Sequence, residues 1–503
     1  MSASTFGSGS ASSGDGLGSL TGVLSVFFHV SCYGPLEAVS TGSQVRGSSR
    51  LLASGTLKKF HWPNGSKGLI LALLPHAPPV VSMIDKVPEA MPKFFESWCS
   101  KFDDVFGRAA QRLNFRLYLA GILGDTERKN VWQMATSVVN GNYASLLNFV
   151  HGEAWSASEV NDRRLAILDS CRQTRIKPGF SLILDDSGHR KSGAATAGVG
   201  RQYIGEIGKV DNGVVMVTSH AYDGVKGIPM DVELYKHASS LEQGKEDPEF
   251  EKKPDIALAL VDRCLARGLT PGLILLDAGY GNNAPLLKEL ESRGLKYVAA
   301  ISKTRNVYYE MLGDKRREKH RIEDIAKSLA PENFQRIELP LEEPRTVWVA
   351  TIQVYMPQMS GKRTIAIQIN APTFAEASEV DYFITNQPQE VASAEGIALA
   401  YSQRNWIEVF YRDAKGWLGI AEYEIRDARS MHNHWTLVFT AHSLIQYQHL
   451  TGGLRRWSTK PLETFHDALK AYKCAVEFLV VRWINHFPEV FAAHRSNLGS
   501  VWA

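Results

Sequence analysis

Residues 396–419 read GIALAYSQRNWIEVFYRDAKGWLG. The stretch holds no proline and no interior glycine before Gly416, and its residues favour helix. On a helix advancing about 100° per residue, Tyr401, Arg404, Glu408 and Lys415 fall within roughly 60° of one another. Trp406, Phe410, Ala414 and Trp417 fall on the opposite side. One face is thus aromatic and apolar, while the other lines up a phenol, two cations and a carboxylate. An Arg–Glu pair four residues apart stabilises a helix by only about 0.3–0.5 kcal/mol. A solvated face accounts for Arg404 and Glu408, but not for the aligned Tyr401 and Lys415. A carboxylate flanked by cations suits a metal ligand beside phosphates.

Around this stretch lies a chain of 503 residues, enough for two or three domains, with the 44% hydrophobic and 22% charged content of a globular protein. The formal charge of +3 requires any nucleic-acid surface to be local. Five scattered cysteines without a CxxC pair argue for a reducing compartment and against a disulfide framework or structural zinc. No apolar run has the length of a membrane span. Residues 20–32, LTGVLSVFFHVSC, lack the basic start and small-residue cleavage pattern of an export signal. A cytoplasmic protein is expected.

Residues 1–82 begin with a Ser/Gly-rich, charge-poor segment and read as a disordered or non-native extension, with Met83 an alternative start. Residues 83–176 read as a helical, DNA-binding domain. Within it, DTERKNVWQMATSV, the turn NGN and YASLLNFVHG resemble a helix-turn-helix, with Asp125 capping the first helix and Arg128 and Lys129 facing DNA. Residues 177–302 turn to strands: FSLILDD, GVVMVTSHAYDG and IPMDVELY, then a helix closed by Gly268, the buried strand PGLILLDAGYG, a helix and KYVAAIS. That order describes a mixed α/β sheet. Residues 303–392 form a β-rich insertion holding the cationic run with Lys315, Arg316 and Arg317, then a hairpin of RTVWVATIQVYM and KRTIAIQIN. Residues 393–430 carry the last helix of the core, and 431–503 are C-terminal helices.

Asp186 ends the first strand, Asp277 ends a later one, and Glu408 comes from the late helix. Three carboxylates converging at a sheet edge make an oxygen-rich site for Mg²⁺ or Mn²⁺. Two such ions about 3.5–4 Å apart support in-line phosphoryl transfer. Because side chains alternate along a strand, only one of Asp185 and Asp186 can face that site.

The spacing Y-x₂-R-x₃-E-x₆-K, filled by Tyr401, Arg404, Glu408 and Lys415, resembles the signature helix of the DDE transposases of bacterial insertion sequences. LDDSG and LLDAGYG look like their first two acidic motifs. GVGRQYIGEIGKVDNGVV, LYLAGILGDTERKNVWQMA and LLNFVHGEAW are similar to the insertion-sequence seven-hundred-one family. The likeness covers roughly residue 94 to the C-terminus. It implies a ribonuclease-H-like (retroviral-integrase-like) catalytic core, split by the insertion and preceded by the helical domain. It implies that Asp186, Asp277 and Glu408 hold two ions. It also implies cleavage of the transposon strand by activated water, then attack of the freed 3′-hydroxyl on target DNA. Asp186, which precedes a small hydroxyl residue as the family's first acid does, is the expected ligand. Tyr401, Arg404 and Lys415 would grip phosphates, and Trp348 is a candidate for stacking on a base. The partners implied are double-stranded DNA, as terminal inverted repeats and target, and a second copy of the chain. Two rivals remain: an inactive relative that only binds DNA, and a two-metal nuclease that never joins strands. His432, His434, His442 and His449 read as core or surface histidines, without ligand partners at metal spacing.

Overall fold

In the computed structural model, residues 91–138, 141–152, 155–310, 317–340, 344–486 and 488 are described. Five helices open this part: α1 (Lys93–Cys99), α2 (Ala109–Leu123), α3 (Val131–Ser137), α4 (Tyr143–His151) and α5 (Ala157–Ser170). Of the paired helices, α4 is as long as expected, while α3 is shorter because residues 125–130 are not helical. Asn130 caps α3 by accepting from the Gln133 amide at 2.8 Å, and Asn142 caps α4 through Ser145 at 2.9 Å. Asp125, expected as the cap, instead pairs with Lys473.

The sheet begins with β1 (Ser181–Arg190), β2 (Gly200–Ile204), β3 (Lys209–Tyr222) and β4 (Gly227–Tyr235). Then follow α6 (Lys253–Ala266), β5 (Leu273–Leu276), the single turn α7 (Ala278–Gly281), α8 (Ala284–Ser292) and β6 (Tyr297–Ala300). The inserted block contributes β7 (Asn306–Glu310), β8 (Arg317–Arg321), α9 (Ile322–Ser328), β9 (Gln335–Leu339), β10 (Arg345–Tyr355), β11 (Lys362–Ile369) and β12 (Val380–Thr385). Last come α10 (Ala394–Ser402), α11 (Asn405–Trp417), α12 (Ala428–Leu450) and α13 (Phe465–His486).

These strands join one mixed, twelve-stranded sheet, ordered β2-β3-β1-β5-β6-β12-β11-β10-β7-β8, with β4 also on β3 and β9 also on β10. β1 runs antiparallel to β3 and parallel to β5, and β5 runs parallel to β6. The expected hairpin is present, with Tyr355 opposite Lys362. The insertion prolongs the same sheet, because β12 pairs with β6. β1 does not stop at Asp186: β3 pairs with it from Ser181 to Arg190, so DDSGHR, loop-like by composition, is held extended. Helices α2, α4 and α5 pack on α12. Among the described residues, no helix is long and apolar enough to cross a membrane.

Candidate active site

The signature stretch is two helices, not one. Between α10 and α11 the chain keeps right-handed dihedrals, with Gln403 at φ −63°, ψ −19° and Arg404 at φ −58°, ψ −26°. The amides of Gln403, Arg404, Trp406 and Ile407 bond three residues back rather than four. This tightened passage turns Arg404 about its axis and sends its guanidinium to β1. There Nη2 donates to Asp185 at 2.5 Å, and Nη1 lies 3.5 Å from Glu408 on the next turn. The buried Nε finds no partner.

Parallel pairing sets the acids. The register Leu184↔Leu276 puts Asp185 and Asp277 at matching positions one step further along β1 and β5, so both face one side. Thr218, opposite Asp185 on β3, exchanges a 2.5 Å hydrogen bond with Tyr411 of α11. That bond fixes α11 over the Asp185 face. Asp277 caps α7 through the Tyr280 amide at 3.0 Å. Helix α7 can sit this close because Gly281 has no side chain: a Cβ there would come within 2.0 Å of the Ala300 carbonyl.

Asp185 is buried. Burial pushes its carboxyl up to about 7 against the pull of Arg404, and Asp277, Glu408 and Asp186 add repulsion. The neighbours Asp185 and Asp186 do point opposite ways, but the expected choice reverses. Asp186 looks to the other face, where Lys253 of α6 donates to it at 2.9 Å and the Tyr280 hydroxyl at 3.4 Å. The geometry gathers Asp185, Asp277 and Glu408 around Arg404, and leaves Asp186 outside. Among the described residues no three His, Cys, Asp or Glu close at metal-ligand range. The donor set at this face is all carboxylate, which fits a hard divalent ion.

The other expected site residues divide. Lys415 donates to the Gly188 carbonyl at 3.1 Å, further along β1 from Asp185, and to Glu206 at 3.0 Å. Tyr401 is packed on Phe383, ring centroids 4.1 Å apart, and burial pushes its phenol up to about 12. Lys129 is buried, not presented to DNA. Its amine bonds the Gly124 carbonyl, and the methylenes lie where a Cβ on Gly419 would come within 2.3 Å. Burial, with Lys473 nearby, pulls its amine down to about 8. Arg128 is exposed. Arg317 is exposed, pairs with Glu310 at 3.0 Å and lies 3.6 Å over the Tyr355 ring. Lys315 and Arg316 lie outside the described residues. Trp348 is half-buried in β10 and packs on the core. On the apolar face of α11, Phe410 and Ala414 are buried, while Trp406 stacks on Tyr222 and Trp417 on His466 at the surface. Sequence reasoning missed Lys253 and Tyr280, which lie far along the chain from Asp186 and reach it only through the sheet.

Residues 101–327 match a family described as DDE superfamily endonuclease, and residues 248–444 one described as Transposase DDE domain. A protein of Microchaete diplosiphon described as a probable transposase for insertion sequence element IS701 is 25% identical over 334 residues, covering 66% of this chain and 82% of that protein. The order of acids in the chain, the signature spacing and these matches coincide: between them the matches run from residue 101 to residue 444, are to DDE endonuclease and transposase domains, and support a DNA-cleaving enzyme.

Proposed function

We propose that this protein cuts the ends of a mobile DNA element and joins the freed 3′-hydroxyl to target DNA, on a ribonuclease-H-like core. The strand order β4-β3-β1-β5-β6 supports that core, with antiparallel pairing on one side of β1 and parallel pairing on the other. The single observation carrying the proposal is the convergence of Asp185, Asp277 and Glu408 on one face, bridged by Arg404. Asp185 takes the place that sequence reasoning gave to Asp186.

These three carboxylates would hold Mg²⁺ or Mn²⁺, two ions per site. The chemistry such ions supply is Lewis-acid activation of an attacking hydroxyl and charge relief at the leaving oxygen. The chain's own residues do the rest. Arg404, with an unused buried Nε–H, offers a fork to a phosphate and keeps acids and backbone in register. Lys415, at the far end of α11, takes the next phosphate by exchanging its carboxylate partner for DNA. Arg128 and Arg317 extend the basic surface, Lys315 and Arg316 beside Arg317 in sequence are further DNA contacts, and the helices α2–α4 recognise the terminal repeats. A second copy pairs the two ends. The protein works inside the cell, where DNA is.

The test substitutes each acid by its amide. Asp185→Asn and Asp277→Asn should each lower strand cleavage by about 10³-fold or more while duplex binding stays near normal. Asp186→Asn should lose far less, about tenfold at most. Asparagine also caps helices, so Asp277→Asn should keep α7 in place. An active Asp185→Asn beside a dead Asp186→Asn would restore the choice read from sequence. Incubating a pre-cut end and target plasmid with Mn²⁺ separates joining from hydrolysis, since a pure nuclease yields no joined product.

A further inference from the structure

Strand β1 runs on past the acids, and its far end meets the helices that precede the sheet. We propose that Lys191, set between Lys415 and Arg128, grips the DNA backbone roughly six nucleotides from the scissile phosphate, so that a cationic track joins the acid face to α3. The inference rests on the DNA-cutting function proposed above.

Alternation puts Asp185, Ser187, His189 and Lys191 on one face, and the Lys191 amide continues the ladder by donating to the Asn212 carbonyl at 3.1 Å. Contacts agree with that count. His189 Nε2 lies 2.8 Å from the Tyr423 hydroxyl. The Lys191 amine donates to the Tyr423 carbonyl at 2.9 Å and lies 3.6 Å from the centre of its ring. Tyr423 belongs to the segment that leaves α11, and the residues on either side of it hold the start of α3. Glu422 accepts from the Lys129 amide at 2.6 Å, and Glu424 from Asn130 at 3.1 Å. Arg128, one residue earlier, is exposed, and its guanidinium makes no ion pair among the described residues. At the other end, Lys415 bonds the Gly188 carbonyl of β1. At about 3.3 Å per residue, Gly188 lies about 10 Å and Lys191 about 20 Å along β1 from Asp185. A DNA strand covers that distance in about six nucleotides.

Lys191 is half-buried, and burial with Arg128 nearby pulls its amine down to about 8 against the pull of Glu424. It keeps its proton at neutral pH, yet among the described residues it makes no salt bridge. The Tyr423 carbonyl takes one of three ammonium donors, and both neighbouring glutamates are engaged by α3. A half-buried cation beside a second cation gains from an anion, and a phosphate oxygen supplies one. The ground next to it suits a duplex. Residues 192–195, SGAA, are exposed and short. Asn212 holds this loop by donating to the carbonyls of Lys191 and Gly193 at 2.7 and 3.0 Å, and the Ala197 amide fastens it to the Arg426 carbonyl at 2.8 Å. Lys191 touches no reacting atom; it is a positioning residue that sets the register of the strand on the acids.

The experiment uses the full chain and two duplexes from the DNA flanking its coding sequence, trimmed to keep about 20 or about four base pairs of the element inside the cleavage point. Affinity across a salt series and single-turnover cleavage are measured for wild type, Lys191→Ala, Lys191→Arg and Asp185→Asn. Lys191→Ala should weaken binding of the long duplex by about tenfold and lower its salt slope by about one. The short duplex, which ends before the track, should lose far less. Lys191→Arg should bring long-duplex affinity back to within about threefold of wild type, since it restores the charge. Lys191→Met, which keeps the stem over Tyr423, replaces alanine should that variant fail to fold. A lysine that merely seats Tyr423 would, on removal, weaken both duplexes alike and leave the slope unchanged. That result, or long-duplex binding by Lys191→Ala within about twofold of wild type, overturns the proposal. Cleavage that persists in Asp185→Asn, or is missing in wild type, overturns instead the function on which the proposal rests.

Discussion

The clusters centred on Arg164 and Arg404 are built to opposite rules. Arg164 of α5 is wholly buried, and its donors are absorbed by Asn161, Ser443 and the carbonyls of Pro229 and Met230. Beside it, Asp231 is held by Arg267 through two bonds of 2.5 and 2.8 Å. Arg404, by contrast, leaves its Nε unpaired, reaches Glu408 only at 3.5 Å and sits among acids that repel one another. The first cluster joins α5, β4 and α12, and its polar groups are satisfied because an unsatisfied one would cost stability. The second tolerates unmet bonding capacity, which is what a site awaiting phosphates and cations requires. Charge pairs of similar length therefore serve different ends, and what separates them is how complete the bonding is.

Removing the Arg164 guanidinium is the harshest way to test that contrast. Arg164→Met leaves two backbone carbonyls, Asn161 and Ser443 short of a donor. Unfolding free energy in urea should fall by about 3–5 kcal/mol, since several buried acceptors lose a charged donor at about 1–3 kcal/mol each. A loss below about 1 kcal/mol would mean the cluster is dispensable packing.

The same junction should also respond to acid. Burial, then Arg164 nearby, pulls His442 down to about 3, and burial with His442 and Arg164 does the same to His220. A histidine depressed in the fold but ordinary when unfolded leaves stability intact above about pH 6.5. Below it, each costs about 1.4 kcal/mol per pH unit as the unfolded chain takes up the proton. Asp185, raised to about 7, acts in the opposite sense over that window, so a difference between proteins is the clean measurement. His442 stacks on Phe465 with centroids 4.6 Å apart, and His442→Phe keeps a ring there. Its stability should fall less steeply than wild type between pH 6.5 and 5, by about 1.4 kcal/mol per unit. Equal slopes would show that His442 charges freely.

Much of the sheet was readable in the residues. Alternation and glycine turns marked β3, β4, β10 and β11, and Gly268, at φ +77°, closes α6 as its position implied. The face of β1 was not readable. Which of two adjacent aspartates looks toward Glu408 depends on the register of β1 against β5, and that is a tertiary fact with no local signal. The polar run after Asp186 belongs to a strand only because β3 is long enough to pair with it. Lys129 reads as a surface cation until Gly419 and Glu422 close over it. Helical spacing put Arg404, Glu408 and Lys415 on one stripe, and that period survives where the helix tightens at Gln403, since Arg404 still reaches Glu408 on the next turn. Tyr401 shares that spacing but spends its ring on Phe383.

The smallest effect on the fold comes from Glu408, whose substitution separates stability from function most sharply. Its side chain is about half exposed and its one recorded bond is the long contact to Arg404. Glu408→Gln keeps shape and helix propensity, removes one of the charges that press on Asp185, and forfeits an exposed ion pair worth little. Urea unfolding should shift by no more than about 0.5 kcal/mol in either direction, while strand cleavage is lost. The outcome that breaks the contrast is a glutamine variant that unfolds as readily as Arg164→Met. Glu408 would then be holding α11 in place, and the acid face would be as structural as the buried one.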